Sequence, residues 1–518
     1  MPRGPRAPRL TAVDIPDSTL TEFVLEHAAS RGAKPALVDA PTGRTVSYAG
    51  LAAAVQTLAA RLAGQGVRPG DVLALRAPNS IEFAVTLYAA SAAGATVATI
   101  SPQSTSQEIA DQLRRTGARW LVTAAEPEEH TEAFLIGDGG VSLHMLPGRW
   151  DDGREISPDV ALLLTSSGTT GLPKRVMLSH RGAVADLCQL PYAHHVTRHD
   201  VVLVALPMTH NFGMQVSLNL SLRAGATVVI LPRFETGAFL RAIQEHKVTR
   251  VEVVPPMVQA LASSPETSDY DLCSLRMITC AAASLRGELA RALAARTGCR
   301  IKQGYGMTET SGGTHLAPDD GPDRPESVGP PLPGVECRVV VPGSGTDVQP
   351  GVPGELLVRG PGVMLGYLAD QAATADAIDK DGWLRTGDIV TVDEDGWYYI
   401  TDRVKELINY KGHQVGPAEL EALLQTHPAV ADAAVVGSPD LAAGEVPKAF
   451  VVPRAPVTAA ELIEWTAAQV APYKQIRLVE FTDTIPKSPG GKILRRMLTG
   501  SSVSHRAPVT GHCTGRSC

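Results

Sequence analysis

Between Leu162 and His180 the sequence reads LLLTSSGTTGLPKRVMLSH: an apolar strand, a loop of hydroxyls and glycines, a lysine, and a second strand-like run. Gly168 and Gly171 let backbone N–H groups close on phosphate oxygens. The hydroxyls of Thr165, Ser166, Ser167, Thr169 and Thr170 add donors, and Lys174 adds positive charge. Together they predict a cradle for a polyphosphate. A solvated Ser/Gly turn is the plainer alternative, but hydroxyls seldom reach this density beside a lysine in one. The loop lacks a Gly-Lys-Ser/Thr ending and runs into a strand pattern instead of a helix, so P-loop kinases and ATPases fit it poorly.

Such a loop needs a scaffold, and the chain supplies one by alternation. Apolar runs (DVLALRAP, RWLVTA, DVVLVALP, ATVVILP, RVEVVPP) take turns with amphipathic stretches (TLAARLAGQ, GAFLRAIQEHK, GELARALAART). That pattern predicts an α/β fold built mainly on parallel sheets. From about Glu336 the texture changes to CRVVV, GELLVRG and GWYYITD among Gly and Pro turns, as in an antiparallel, partly β-barrel-like part. Past Asp402-Arg403 come shorter units: PAELEALLQTH as helix, ADAAVVGS as strand, AAELIEWTAAQV as helix. The predicted organisation is a large N-terminal domain of several subdomains over residues 1–402, a small α+β C-terminal domain over 403–500, and a disordered tail over 501–518.

A chain of 518 residues is long enough for two or more domains. Its net charge of −7 carries no footprint for nucleic acid or an anionic membrane surface. The basic opening MPRGPRAPRL reads as a disordered arm, and with no apolar run behind it a secretory signal is not expected. The uncharged segment Phe83 to Ile100 is dominated by Ala, Gly, Ser and Thr. It predicts a small-residue helix on a sheet, running into a short strand, in place of a membrane span. Seven cysteines without zinc-type pairing are too sparse for a disulfide framework. A cytoplasmic enzyme with a small-molecule substrate is expected.

The motifs resemble, in order, those of the AMP-forming acyl-CoA synthetase, luciferase and adenylation-domain superfamily. They are TSSGTTGLPK, QGYGMTET (Gln303 to Thr310), GWLRTGD (Gly382 to Asp388), ITDRVKELI (Ile400 to Ile408), YKGHQVGPAELE (Tyr410 to Glu421) and PKSPGGKILRR (Pro486 to Arg496). The last two are similar to the forms shared by 4-coumarate–CoA ligases and luciferases. The resemblance implies ATP or acyl-AMP, CoA and Mg²⁺ as the bound species. It implies that Tyr305 stacks on adenine, Thr308 donates to the α-phosphate, and Glu309 holds Mg²⁺, whose hard charge prefers carboxylate oxygen. It places Ala282, Ala283, Gly306 and Ile400 around the nucleotide, and it has Asp388, after a tight glycine turn, accept the ribose hydroxyls with Arg403 assisting. Lys492 would be the mobile catalytic lysine, an ammonium set against the charge that develops on the attacked phosphate; Lys487 nearby reads as merely solvated. Lys405 would be the hinge on which a mobile C-terminal domain turns between two chemical steps. Lys411, Gly412 and Gln414 would then serve the thiol step.

The same resemblance puts an acyl pocket at LPMTHNFGM and CAAASL, with His210, Asn211, Phe212, Ala281, Gly304 and Met307 as its candidates and His210 also as a catalytic one. No charged residue awaits an amino group, so a bulky apolar or aromatic acid is favoured over an amino acid. Thr209, Ala281, Ser284 and Asn409 depart from the usual pattern; so does Arg175, which stands where glycine is usual, directly after Lys174. If that backbone needs φ > 0, arginine strains it by about 1–2 kcal/mol, and adenylation is expected to be impaired. The leading expectation is a two-step acid–CoA ligase. The alternatives are thioesterification alone with acyl-AMP supplied by a separate adenylating enzyme, loading of a carrier-protein thiol, or a degenerate nucleotide- or acyl-binding protein. Survival of Lys492, Glu309, Asp388 and Arg403 weighs against the last.

Overall fold

The computed structural model describes residues 13–124, 134–136, 143–147, 156–166, 174–411, 413–440, 443–488 and 490–499, with backbone alone at 134–136 and 143–147. The chain divides into two compact units, Met1–Lys405 and Glu406–Cys518.

In the first unit two eight-stranded sheets carry the core. One runs in the order Gly312–Leu316, Arg300–Met307, Met277–Cys280, Arg250–Val253, Val201–Val204, Thr227–Ile230, Pro35–Asp39, Thr45–Ser47. Its pairings are parallel except at the two ends. The other contains the parallel strands Trp120–Thr123, Val72–Arg76, Thr96–Thr99 and Val160–Ser166, followed by antiparallel Lys174–Ser179 and Gly366–Tyr367. Continuous apolar strands such as VLAL at 72–75 are buried on both faces, as strands of a covered parallel sheet must be.

The segment from Phe83 to Ile100 forms the helix Ile81–Ala92 and the strand Thr96–Thr99, as its small residues predict. Ser80 starts that helix by accepting the N–H of Phe83, which satisfies one of the unpaired donors of the first turn. Nearly every side chain of the helix is buried, and truncating a leucine such as Leu87 in this position typically costs 2–5 kcal/mol, about the effect expected here. Among the described residues no helix is long and apolar enough to cross a membrane.

A third sheet of this unit is antiparallel, in the order Glu336–Val340, Gly354–Arg359, Leu384–Val392, Tyr398–Arg403. The second unit has a five-stranded sheet around the long hairpin Val430–Asp440 and Gly444–Pro453, with helices Pro417–Thr426 and Ala459–Ala467. Its core is closed by Ile408, Val415, Leu420, Leu424, Val435 and Leu462.

Candidate functional site

The strand Arg300–Met307 leaves the core at Gly304 and delivers Tyr305, Gly306 and Met307 to its edge partner Gly312–Leu316. Gly306 lies so close to that partner that a Cβ there would collide with the Gly312 carbonyl, which is why the position requires glycine. Thr308, Glu309 and Thr310 then form a single 3₁₀ turn. One strand end therefore presents an aromatic ring, a hydroxyl and a carboxylate in succession.

The Tyr305 hydroxyl donates to Asp388 Oδ2 at 2.6 Å, and Arg403 Nε lies 2.8 Å from Asp388 Oδ1. Asp388 and Arg403 are direct partners across the antiparallel strands Leu384–Val392 and Tyr398–Arg403. Thr386 Oγ1 accepts the Asp388 N–H and donates to the Leu356 carbonyl, so the aspartate is held from its backbone as well. Burial first, and then the Asp388 carboxylate, push the Tyr305 phenol well above its usual pKa, so it remains a donor. Behind it His315 meets the Tyr305 ring edge-on at 5.8 Å and the Tyr398 ring at 4.4 Å. The glycine ahead of Asp388 is not in a turn, contrary to the sequence reading. Gly387, at φ +69°, sits within the strand Leu384–Val392, whose pairing with Gly354–Arg359 slips at this level, so its freedom serves a bulge.

Glu309 is buried and accepts the Tyr367 hydroxyl on Oε1 at 3.1 Å. No cluster of three or more His, Cys, Asp or Glu able to hold a metal occurs among the described residues. A single carboxylate is nevertheless what Mg²⁺ uses when phosphate oxygens and water fill its remaining positions, so Glu309 fits that ion.

Of the phosphate-loop candidates, Thr165, Ser166 and Lys174 lie on the described stem; Ser167, Gly168, Thr169, Thr170 and Gly171 fall outside the described residues. The stem pairs Thr165 with Arg175 and Ser166 with Lys174. Because strand side chains alternate, these pairs face opposite sides of the sheet. Lys174 Nζ lies over the Tyr367 ring, 4.5 Å from its centre. Arg175 turns the other way, is 5% exposed, and donates to the Thr165 hydroxyl. Burial lowers its pKa to about 10, which leaves it charged. It lies in the extended strand Lys174–Ser179 and is not among the residues with positive φ, so the expected backbone strain does not exist. The strand hydrogen bonds hold it extended, and an extended residue needs no glycine.

Strain does appear in CAAASL, at the residue after Ala281, which stands where the resemblance has glycine. Ala282 has φ +74°, while Ala281 has an ordinary backbone and donates to the Val253 carbonyl. Ala283 follows it, half-buried. His210 and Asn211 stand between the strand Val201–Val204 and a π-helical turn over Phe212–Asn219. His210 is an exposed residue, and the protein packed about its ring lowers its pKa. Asn211 is buried, with no partner on either amide atom. Phe212 packs against both large core clusters of the unit, and Met307 against one. Ile400 pairs with Val390, and Lys405 lies in the 3₁₀ turn Val404–Glu406.

In the second unit Lys492 N–H donates to Ser488 Oγ at 3.2 Å, and its carbonyl accepts the Ser488 N–H at 2.8 Å. Lys487 is not merely solvated: it pairs with Asp432 at 2.5 Å. Arg495 is bound by Glu421 at 2.7 Å and Glu406 at 2.9 Å, which anchors the segment after Lys492. Asn409 pairs with Gln414 in a hairpin, and Lys411 at φ +48° begins its turn; Gly412 lies outside the described residues. Tyr367 and Thr386 escape sequence reading, because their roles exist only through strand register.

Residues 24–368 match the family described as AMP-binding enzyme, and residues 419–492 match its C-terminal domain. The chain is 40% identical over 520 residues to 4-coumarate–CoA ligase 5 of Oryza sativa subsp. japonica, covering 95% of this chain and 96% of that one. It superposes on the anthranilate CoA ligase AuaEII in complex with anthranoyl-AMP with a TM-score of 0.80, at 26% identity, covering 95% and 98% of the two chains. Against the O-succinylbenzoate CoA synthetase of Bacillus subtilis, solved with ATP and magnesium ion, the TM-score is 0.78 at 29% identity, covering 92% and 99%.

Proposed function

The chain belongs to the AMP-binding enzyme family, as an AMP-forming acid–thiol ligase that works with ATP, CoA and Mg²⁺, and from that premise we propose that it converts a bulky apolar or aromatic acid to its CoA thioester in two steps. In the first, a carboxylate oxygen of the acid attacks the α-phosphorus of ATP and pyrophosphate leaves. In the second, the CoA sulfur attacks the acyl carbon and AMP leaves.

The observation that carries this reading is the Tyr305–Asp388–Arg403 group beside Thr308 and Glu309. Asp388 is held by a phenol on one oxygen and a guanidinium on the other. It is thereby fixed in place as an acceptor for a ribose diol, at the hydroxyl end of a ring on which adenine can lie. Thr308 is one residue from the carboxylate and three from the ring, within reach of the α-phosphate of the same nucleotide. Mg²⁺ at Glu309 would neutralise phosphate charge. Lys492 would counter the charge that develops as the carboxylate attacks. Phe212, Met307, Ala281 and Gly304 would supply an apolar lining, and His210, whose pKa its surroundings lower, would add no charge to it at neutral pH.

A second reading draws support from Arg175. Its guanidinium donates to the hydroxyl of Thr165 on the described stem beside the phosphate loop, a contact that glycine would not make. A chain so altered would take acyl-AMP from a separate adenylating enzyme and perform thioesterification alone.

Two assays over a panel of acids separate the readings: ATP–pyrophosphate exchange, and CoA thioester formation from presynthesised adenylates. Exchange with bulky apolar or aromatic acids supports the two-step ligase. Thioester formation without exchange selects the second reading, and absence of both rules out the acids of the panel as its substrates. Substituting a carrier protein for CoA identifies the thiol.

A further inference from the structure

Tyr367 belongs to none of the sequence motifs above, yet it touches two of them. It lies on the two-residue strand Gly366–Tyr367, antiparallel to Val176–Met177 and thus beside the stem that carries Lys174. Its own N–H donates to Thr374 Oγ1 at 2.9 Å, and Met364 N–H donates to the Glu309 carbonyl at 2.8 Å. The segment is therefore fastened by backbone hydrogen bonds to both the lysine strand and the glutamate turn. The side chain is 8% exposed. Its ring face carries the Lys174 ammonium at 4.5 Å, and its hydroxyl donates to Glu309 Oε1 at 3.1 Å.

We propose that Tyr367 is a positioning residue of the adenylation step, which holds the phosphate-side cation Lys174 and the metal-side carboxylate Glu309 in fixed places and keeps them from pairing with each other. This rests on the two-step reading. An ammonium and a carboxylate at one site attract strongly, the more so where water is scarce. Left free to meet, each would cancel the charge that the other partner, phosphate or Mg²⁺, requires. The tyrosine gives each a weaker partner: for the ammonium the π face, which phosphate can replace, and for the carboxylate a neutral hydroxyl that occupies one oxygen only. Glu309 also keeps its second oxygen for the metal, and the hydroxyl fixes the direction in which that oxygen points.

Two variants separate the two contacts. Tyr367→Phe keeps the ring beneath Lys174 and removes the hydroxyl. Tyr367→Leu removes both and opens the space between the charges. By calorimetric titration with MgATP, Tyr367→Phe should bind about tenfold more weakly, in line with loss of a hydrogen bond to a charged group. Tyr367→Leu should bind more weakly still, and its half-saturating Mg²⁺ concentration should rise well beyond that of Tyr367→Phe, because Lys174 then competes with the metal for Glu309. Pyrophosphate exchange should fall in the same order, and by far more than thioester formation from supplied acyl-AMP. Two results overturn the proposal: MgATP affinity and Mg²⁺ requirement unchanged in a folded Tyr367→Phe variant, or equal losses in both half-reactions. Should Tyr367→Leu not fold, Tyr367→Phe decides alone. A wild-type chain with no affinity for MgATP would overturn the two-step reading itself, and this proposal with it.

Discussion

Asp388 and Arg403 face each other across two antiparallel strands, carboxylate Oδ1 to guanidinium Nε 2.8 Å apart, while Tyr305 arrives from a different sheet to bind the other carboxylate oxygen. Asp388 is 2% exposed, so its charge is held by these partners and not by solvent. Asp388→Asn keeps the shape and removes the charge. The KM for ATP should rise about tenfold or more, as loss of a charged hydrogen bond of about 1.5–3 kcal/mol implies. Steady-state kinetics checks this, and an unchanged KM in a folded variant would refute the ribose role.

Arg175 donates to Thr165 on the face opposite Lys174 and carries no backbone strain. Arg175→Gly therefore relieves nothing. It removes a buried contact and places glycine inside a strand, for a loss of roughly 1–3 kcal/mol in urea unfolding. Pyrophosphate exchange should not increase. A tenfold increase would favour impaired adenylation and with it the thioesterification-only reading.

Ala282 adopts φ +74° and its neighbour Ala281 does not. Ala282→Gly should stabilise the body by about 0.5–1 kcal/mol, since a left-handed alanine costs more than glycine's extra unfolded-state freedom. Ala281→Gly should destabilise it by a similar amount, for the reverse reason. Parallel denaturant titrations test the pair, and opposite signs are the required result.

Burial lowers His315 to a pKa of about 3. The ring is enclosed by Tyr305, Tyr398, Thr314 Oγ1 at 3.0 Å and Cys337 Sγ at 3.5 Å, with no carboxylate among these neighbours. The unfolded chain binds this proton near pH 6.5 and the folded chain only near pH 3, so stability falls as pH drops between those values. His315→Asn should flatten the decline of unfolding free energy between pH 7 and 5 relative to the wild-type chain. Identical slopes would show that His315 does not contribute.

Lys492 ends a loop closed by two hydrogen bonds with Ser488, whose N–H donates to the Lys492 carbonyl and whose hydroxyl accepts the Lys492 N–H. If its ammonium acts only while the α-phosphate is attacked, Lys492→Ala lowers pyrophosphate exchange on the order of 10²–10³-fold, as for one lost preorganised charge contact. Acyl transfer from supplied acyl-AMP should survive. Equal losses in both would end this assignment.

The sequence by itself determined the family, the α/β character and the order of the motifs, because these depend on residue type, spacing and hydrophobic period, all local properties. It marked Tyr305, Asp388 and Arg403 separately. Only the tertiary structure brought them together, since one comes from a parallel sheet and the others from an antiparallel one, and register alone decides which side chains meet. Register also turned Arg175 away from Lys174: adjacent residues of a strand point to opposite faces, so neighbours in the sequence were not neighbours in the site. The left-handed backbone went to Ala282 and not to Ala281, because the path of the turn out of the strand Met277–Cys280 sets φ, and composition does not. Tyr367 had no sequence signal at all. Its meaning comes from what stands on either side of it, an ammonium over its ring and a carboxylate at its hydroxyl, and both reach it only through folding.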